Sequence, residues 1–293
     1  LAGWARTSSG FQDETAVASV NGESITAGDI DRDLARTLGE IKLSAQQMSQ
    51  ARSVSLEKLI NQRVVLDFLR EFKLAAGENE VRLKIEELKQ KLATVEKTIE
   101  DHLKQTNQTQ QDLEFEIAWQ LSWKRYLKQM LTDDFLEAHF RKNQRQFDST
   151  ELHVAHLLLK SDSPATIATQ QEKANEIKSQ IESGELTWDQ AVAQYSQAPT
   201  KDSGGEIGWI KSAGPMPKSF SIAAFKLSAG EISQPVTTKF GIHLVRCLEV
   251  KPGKLGWRDR LDEVKKSATR ELFDAVVAKH RPKVNIEYNQ QPN

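Results

Sequence analysis

Residues 151–160, ELHVAHLLLK, set two histidines three apart in an apolar run. The fold around them turns on whether this run is helix or strand. On a helix, residues three apart share a face, and His153 and His156 would suit one metal ion. On a strand, an odd spacing sends them to opposite faces. The run is short, carries the β-branched Val154, and is closed by the breaker-rich SDSP of residues 161–164. It therefore reads as a strand. A metal pair is then geometrically excluded, and only one of the two histidines looks inward.

Moving outward from this strand, the chain changes character. All eight prolines lie at or after Pro164, and Gly77 is the only glycine between residues 40 and 150. Nine of the fifteen glycines crowd into residues 184–256. Long helices exclude both residue types and turns need them. The chain thus divides into a helical first half, a turn-rich module over about 151–251, and a final helical stretch.

In the first half, VASVNGESIT reads as two short strands about the Asn21–Gly22 turn. Thr26 with Asp29 makes a capping-box-like helix start, and residues 45–75 give a second helix with Val54, Ile60, Val64, Val65 and Phe68 as core. Val81, Ile85, Leu88, Leu92, Val95 and Ile99 form a heptad seam of nearly three heptads. That is short for a coiled-coil dimer, so one amphipathic helix packed in its own domain is favoured, with a homodimer through the helical domain as the alternative. Two further helices are expected near 110–131 and 133–146; their Trp119, Trp123, Tyr126 and Phe135 read as core in preference to a peptide-gripping surface. The closing segment carries Leu261, Val264, Ala268, Leu272, Ala275 and Val276 on one side of a helix, followed by the short strand VNIEY. A lone amphipathic helix must bury its stripe, and the N-terminal helical domain is the partner of like character.

Composition narrows the function. A formal charge of −1, from 40 basic and 41 acidic residues, gives no net field for nucleic acid or acidic lipid. No run approaches the length of apolar sequence that spans a bilayer. Cys247 is the only cysteine, which excludes an intramolecular disulfide and a cysteine zinc site. The chain begins with Leu1, as expected of a fragment or processed product from which a signal segment has gone.

Within 151–251 the order is strand, long helix, a second helix opened by the Thr187-Trp188-Asp189-Gln190 box, a glycine-rich loop, strand, short helix, extended arm and last strand. This is an α+β unit. The motifs AHLLLK, SGGEIGW, MPKSFSIAAF and GEISQPVTTKFGIHLV occur in the order and approximate spacing of parvulin-type peptidyl-prolyl cis–trans isomerases, which the module resembles. The flanking plan, VNGESIT followed by helices and a returning C-terminal helix, resembles the SurA/PrsA class of bacterial extracytoplasmic chaperones. The expected fold is therefore a parvulin-like isomerase domain (151–251) inserted in a mostly helical chaperone domain (16–150), with 1–15 unstructured and 252–293 packing back on the N-terminal domain.

The resemblance implies site residues. His156 matches the family's inward histidine on the first strand and His243 the one on the last, leaving His153 at the surface. Thr238 matches the hydroxyl beside the paired histidines. Met216 and Phe220 match the floor and wall of the proline pocket, with Ile207 and Phe240 as further walls. The chemistry needs no nucleophile, metal or cofactor, because no bond is broken. One position departs from the pattern: Ala198 stands where the family usually carries an ionisable or polar Cys or Asp, and Asp202 would need the loop to refold to replace it. A weak isomerase, or a parvulin fold retained only for binding, is the implied result. The loop SDSPAT lacks the Arg and Lys cluster of phosphate-reading relatives, so no phosphopeptide preference is expected. Implied clients are unfolded or extended polypeptides containing X-Pro, outside the cytoplasm. The competing readings are a non-catalytic holdase and a coiled-coil structural protein.

Overall fold

Asn21 and Gly22 both take positive φ, 48° and 82°. This is the geometry a two-residue hairpin turn demands, and asparagine and glycine tolerate it best. In the computed structural model, which describes residues 15–289 apart from 40, 42 and 162, that turn joins β1 (Ala16–Val20) to β2 (Glu23–Thr26). The expected unstructured segment 1–15 lies, save Thr15, outside the described residues. The chain divides into two compact units, one of residues up to Thr132 with those from Ala268 onward, the other Asp133–Ser267.

The first unit continues with α1 (Ala27–Leu38), α2 (Ala45–Glu71), α3 (Glu78–Ala93), α4 (Ile99–Gln105) and α5 (Gln110–Met130). Thr26 caps α1 reciprocally: its hydroxyl accepts from the Asp29 amide at 3.1 Å, and its own amide donates to the Asp29 carboxylate at 2.8 Å. Ile25, Ile30, Leu34, Ile60 and Val64 are core. Val54 is not; it is 66% exposed, because the buried stripe of α2 begins at Ser55 and continues through Leu59 and Ile60. The heptad seam is broken as well. α3 ends at Ala93, Glu96 takes a φ of 54°, and a separate helix starts at Ile99, leaving Val95 62% exposed. Val81, Ile85, Leu88 and Leu92 pack inside the unit against Ile99, Leu113 and Ile117.

The second unit opens with α6 (Asp133–Lys142), which carries Phe135, and α7 (Gln144–Phe147). Then come β3 (Glu151–Lys160), α8 (Pro164–Glu182), α9 (Trp188–Tyr195), β4 (Glu206–Lys211), α10 (Lys218–Ala224), β5 (Val236–Thr238) and β6 (Gly241–Lys251). The four strands form an antiparallel sheet in the order β4-β3-β6-β5. On one face Leu157, Leu159, Ile242 and Leu244 pack against Ile177, Trp188 and Val192 of α8 and α9. On the other, Leu152, Val154, Val245 and Cys247 pack against Phe220, Ala224 and Phe225 on or beside α10.

This unit extends beyond the sequence-derived limits of 151 and 251, and its hydrogen bonds say why. The Gly253 amide donates to Thr150 Oγ1 at 3.0 Å, the Leu255 amide to the Asp148 carbonyl at 3.2 Å, and Arg260 to Ser149 Oγ at 3.2 Å. A Cβ at Gly253 would lie 1.9 Å from the Asp148 carbonyl, so this crossing requires glycine.

Last come α11 (Leu261–His280) and β7 (Ile286–Tyr288), whose latter part belongs to the first unit. There Val276 packs with Val65 and Leu69, and Phe273 stands edge-on to Trp119 and Trp123, alongside Phe68 and Tyr126. Trp119, Trp123 and Tyr126 are partly buried and line the edge of this core, and Phe135, on α6, is partly buried outside it. β7 pairs antiparallel with β1, completing the sheet β2-β1-β7. No helix among the described residues is long and apolar enough to cross a membrane.

Candidate active site

The register of β3 on β6 brings the site together. His156 lies opposite Val245, and His243 lies opposite Leu158. The two histidines are therefore diagonal neighbours on one face of the β3–β6 pair, close enough for ring side chains to meet. Their Nδ1 atoms are hydrogen-bonded at 3.1 Å, and the rings stack with centroids 5.3 Å apart. The pair is anchored at both ends by hydroxyls: Thr238 Oγ1 is 2.8 Å from His243 Nε2, and Thr200 Oγ1 is 3.2 Å from His156 Nε2.

The Phe220 ring stands edge-on to both imidazoles, 6.0 Å from His156 and 5.6 Å from His243. Met216 and Ile207 pack against the same apolar cluster as Phe220. Phe240 is half-exposed, with the Lys239 ammonium 5.1 Å over its ring, and its amide donates to Thr238 Oγ1 at 3.1 Å. Burial next to these apolar groups favours the uncharged imidazole. It lowers the His156 pKa, and it pushes His243 down to about 4, with the neighbouring His156 ring adding to the shift. Both rings are thus shifted toward the uncharged form.

His153 has the surroundings of the opposite face. It stacks on Trp209 at 5.2 Å and is hydrogen-bonded to Glu206 at 2.7 Å.

Ala198 is buried in the loop after α9; its amide donates to Ser196 Oγ at 3.3 Å and its carbonyl accepts from the Lys201 amide at 3.1 Å. Asp202 is exposed. The hydrogen bond from this loop to the histidine pair comes from Thr200, which the sequence reading passed over. The available signal was a hydroxyl residue two positions beyond the departing alanine. The loop is set by Gly205: its carbonyl accepts the His156 amide at 2.8 Å, and its amide donates to the Thr200 carbonyl at 2.9 Å. Gly205 has a φ of 78°, and a Cβ there would lie 2.1 Å from the His156 carbonyl oxygen. Only glycine fits.

Two separate stretches of the chain match known families. Residues 156–249 match the PPIC-type PPIASE domain, and residues 1–127 match the SurA-like N-terminal domain. Chaperone SurA of Bordetella avium (strain 197N) is 33% identical over 135 residues, 46% of this chain and 26% of that protein. Foldase protein PrsA of Clostridium botulinum (strain Loch Maree / Type A3) is 24% identical over 284 residues, covering 88% of this chain and 81% of that one. The crystal structure of peptidylprolyl isomerase PrsA from Bacillus anthracis aligns with a TM-score of 0.39 and 22% identity, over 80% of this chain and 99% of that one. The chain spans about a quarter of the length of the SurA relatives it matches.

Proposed function

We propose, for a chain that joins a PPIC-type PPIASE domain to a SurA-like N-terminal domain, that it is a peptidyl-prolyl cis–trans isomerase and chaperone for exported proteins. The observation that carries this reading is the hydrogen-bonded His156–His243 pair held edge-on to Phe220. Amide resonance sets a rotational barrier of ~18–20 kcal/mol, and X–Pro bonds isomerise unaided over tens to hundreds of seconds. Catalysis needs only a site that binds the twisted amide better than the planar one. Phe220, Met216 and Ile207 receive the proline ring and exclude the water that stabilises the planar dipole, with Phe240 at the rim. His156, His243 and Thr238 form the polar side. The methyl side chain of Ala198 supplies neither charge nor hydrogen bond, so the rate is modest.

The clients are unfolded or extended polypeptides containing unphosphorylated X-Pro, met outside the cytoplasm. A homodimer through the helical unit would have to use a surface other than the α3 seam, whose apolar residues are spent inside that unit; sedimentation at several concentrations tests it. The deciding experiment is a protease-coupled assay of the intact chain on an unphosphorylated Ala-Pro peptide. Isomerisation above the uncatalysed rate is expected. Peptide binding at only the background rate would leave a holdase in its place.

A further inference from the structure

Away from the histidine pair, the second unit carries a groove of about 1050 Å³ along the outer edge of its sheet. The floor is the extended arm that leads into β5. There the Ser233 amide donates to the Val245 carbonyl at 2.8 Å, and the Cys247 amide donates to the Glu231 carbonyl at 3.0 Å. Ile232 lies between them, opposite Arg246. In this antiparallel pattern the Ile232 amide and carbonyl point away from β6. Neither they nor the backbone groups of Gln234 have a hydrogen-bond partner among the described residues. The arm is a short open sheet edge, of the kind that accepts another strand.

Helices wall this edge on both sides. Ser219, Ile222 and Ala223, three and four apart on α10, line one wall, and Ile222 is 40% exposed. Phe220 and Ala224 of the same helix turn instead to the core beside the histidines, so α10 separates the groove from that site. Ile181, Leu186 and Trp188, from the end of α8 to the start of α9, line the other wall.

Charge specifies what fits between them. The half-buried Arg246 guanidinium lies 5.9 Å over the Trp188 ring and has no carboxylate partner among the described residues. Of the acidic lining residues, Glu182 is paired with Lys178, and Glu231 accepts from the Ser228 amide at 2.6 Å. That leaves Arg246 and Lys226 facing the groove against a single uncommitted carboxylate, Asp189. An arginine held on an indole suits a carboxylate that takes two of its N–H groups.

We infer that this groove is a second polypeptide site, in which an extended segment adds as a strand to the arm at Ile232 and Gln234 and sets an acidic side chain on Arg246, with flanking apolar side chains against Ile222 and Trp188. Such a segment needs no proline, and its binding does not rest on the isomerase reading.

The probe is the proline-free peptide acetyl-Thr-Val-Glu-Val-Thr-amide, titrated into the intact ¹⁵N-labelled chain. The backbone amides of Ile232 and Gln234 are expected to shift, and those of His156 and His243 to stay. Replacing the peptide's Glu by Gln should weaken binding about tenfold. Arg246→Gln should do the same, with no further loss when the two changes are combined and no change in rate on an Ala-Pro peptide. Methylating alternate backbone nitrogens of the peptide should abolish binding in one register and spare it in the other, as strand addition requires. Shifts centred on His156 and His243, equal affinity for the Glu and Gln peptides, or indifference to both methylation patterns would overturn the assignment. So would sedimentation showing the groove filled by a second copy of the chain.

Discussion

His153 and His156 stand three residues apart on β3, yet the two faces of the strand give them different chemistry. His156 packs against His243 and Phe220, loses water and has its pKa lowered by that burial. His153 meets the half-exposed Trp209 and the exposed Glu206 carboxylate. The residue type is the same and so is the strand. What differs is which layer covers each face: an apolar cluster and a second imidazole beside His156, an indole and a carboxylate beside His153.

The most damaging way to break this contrast is to remove the cover. Phe220 is 1% exposed and packs among the core residues of its face. Phe220→Ala should cost the second unit about 3–5 kcal/mol, whereas Trp209→Ala on the other face should cost about 0.2–1 kcal/mol, the range of a cross-strand pair. Denaturant unfolding of both variants measures the difference, and equal losses would contradict the layering.

Acid gives a second test. His243 has a folded pKa of about 4 against 6.5 for the free group. Between those values the unfolded chain binds the extra proton, so stability must fall as pH drops from about 6.5 to about 4 and then level off. The His243→Gln variant should lose this pH-dependent component. Thermal unfolding from pH 8 to pH 4 follows it; wild type and variant with parallel slopes would refute a buried neutral ring.

A third test adds to the site instead of subtracting from it. Ala198→Asp places a carboxylate in the loop that already reaches the pair, and should raise the isomerisation rate about tenfold. His156→Ala in that background should remove most of the gain, while His153→Ala should leave it. An unchanged rate in Ala198→Asp would show the alanine to be harmless. The smallest effect is expected from His153→Ala alone: stability within about 0.5 kcal/mol of wild type and the same rate on the Ala-Pro peptide.

The sequence disclosed features whose cause is local. The Thr26–Asp29 and Thr187–Gln190 boxes are written within four residues, and the structure shows both. Alternation along β3 assigned the two histidines to opposite faces. Other features depend on partners far along the chain. Thr200 meets His156 across 44 residues, and nothing periodic in a loop announces that contact. The edges of the second unit are set by bonds from residues 148–150 to residues 253–260, more than a hundred positions away. Val54 fell on the wrong side because apolar character identifies candidates for a helix stripe, while the neighbouring elements choose the stripe itself. That His156 and His243 meet was expected from family resemblance, which carries three-dimensional information that composition and spacing do not.

The pairing of β7 with β1 has a consequence in time. Ser19 and Glu287 are register partners 268 residues apart, with the whole of the second unit encoded between them. At a synthesis rate of about 5–20 residues per second, β1 waits roughly 13–54 s for its outer neighbour. The module encoded in the middle can finish folding while the unit begun first still lacks a strand. The sheet of β1, made before the second unit, is thus among the last parts to close, and until then a row of backbone hydrogen-bonding groups on β1 is open to any passing strand.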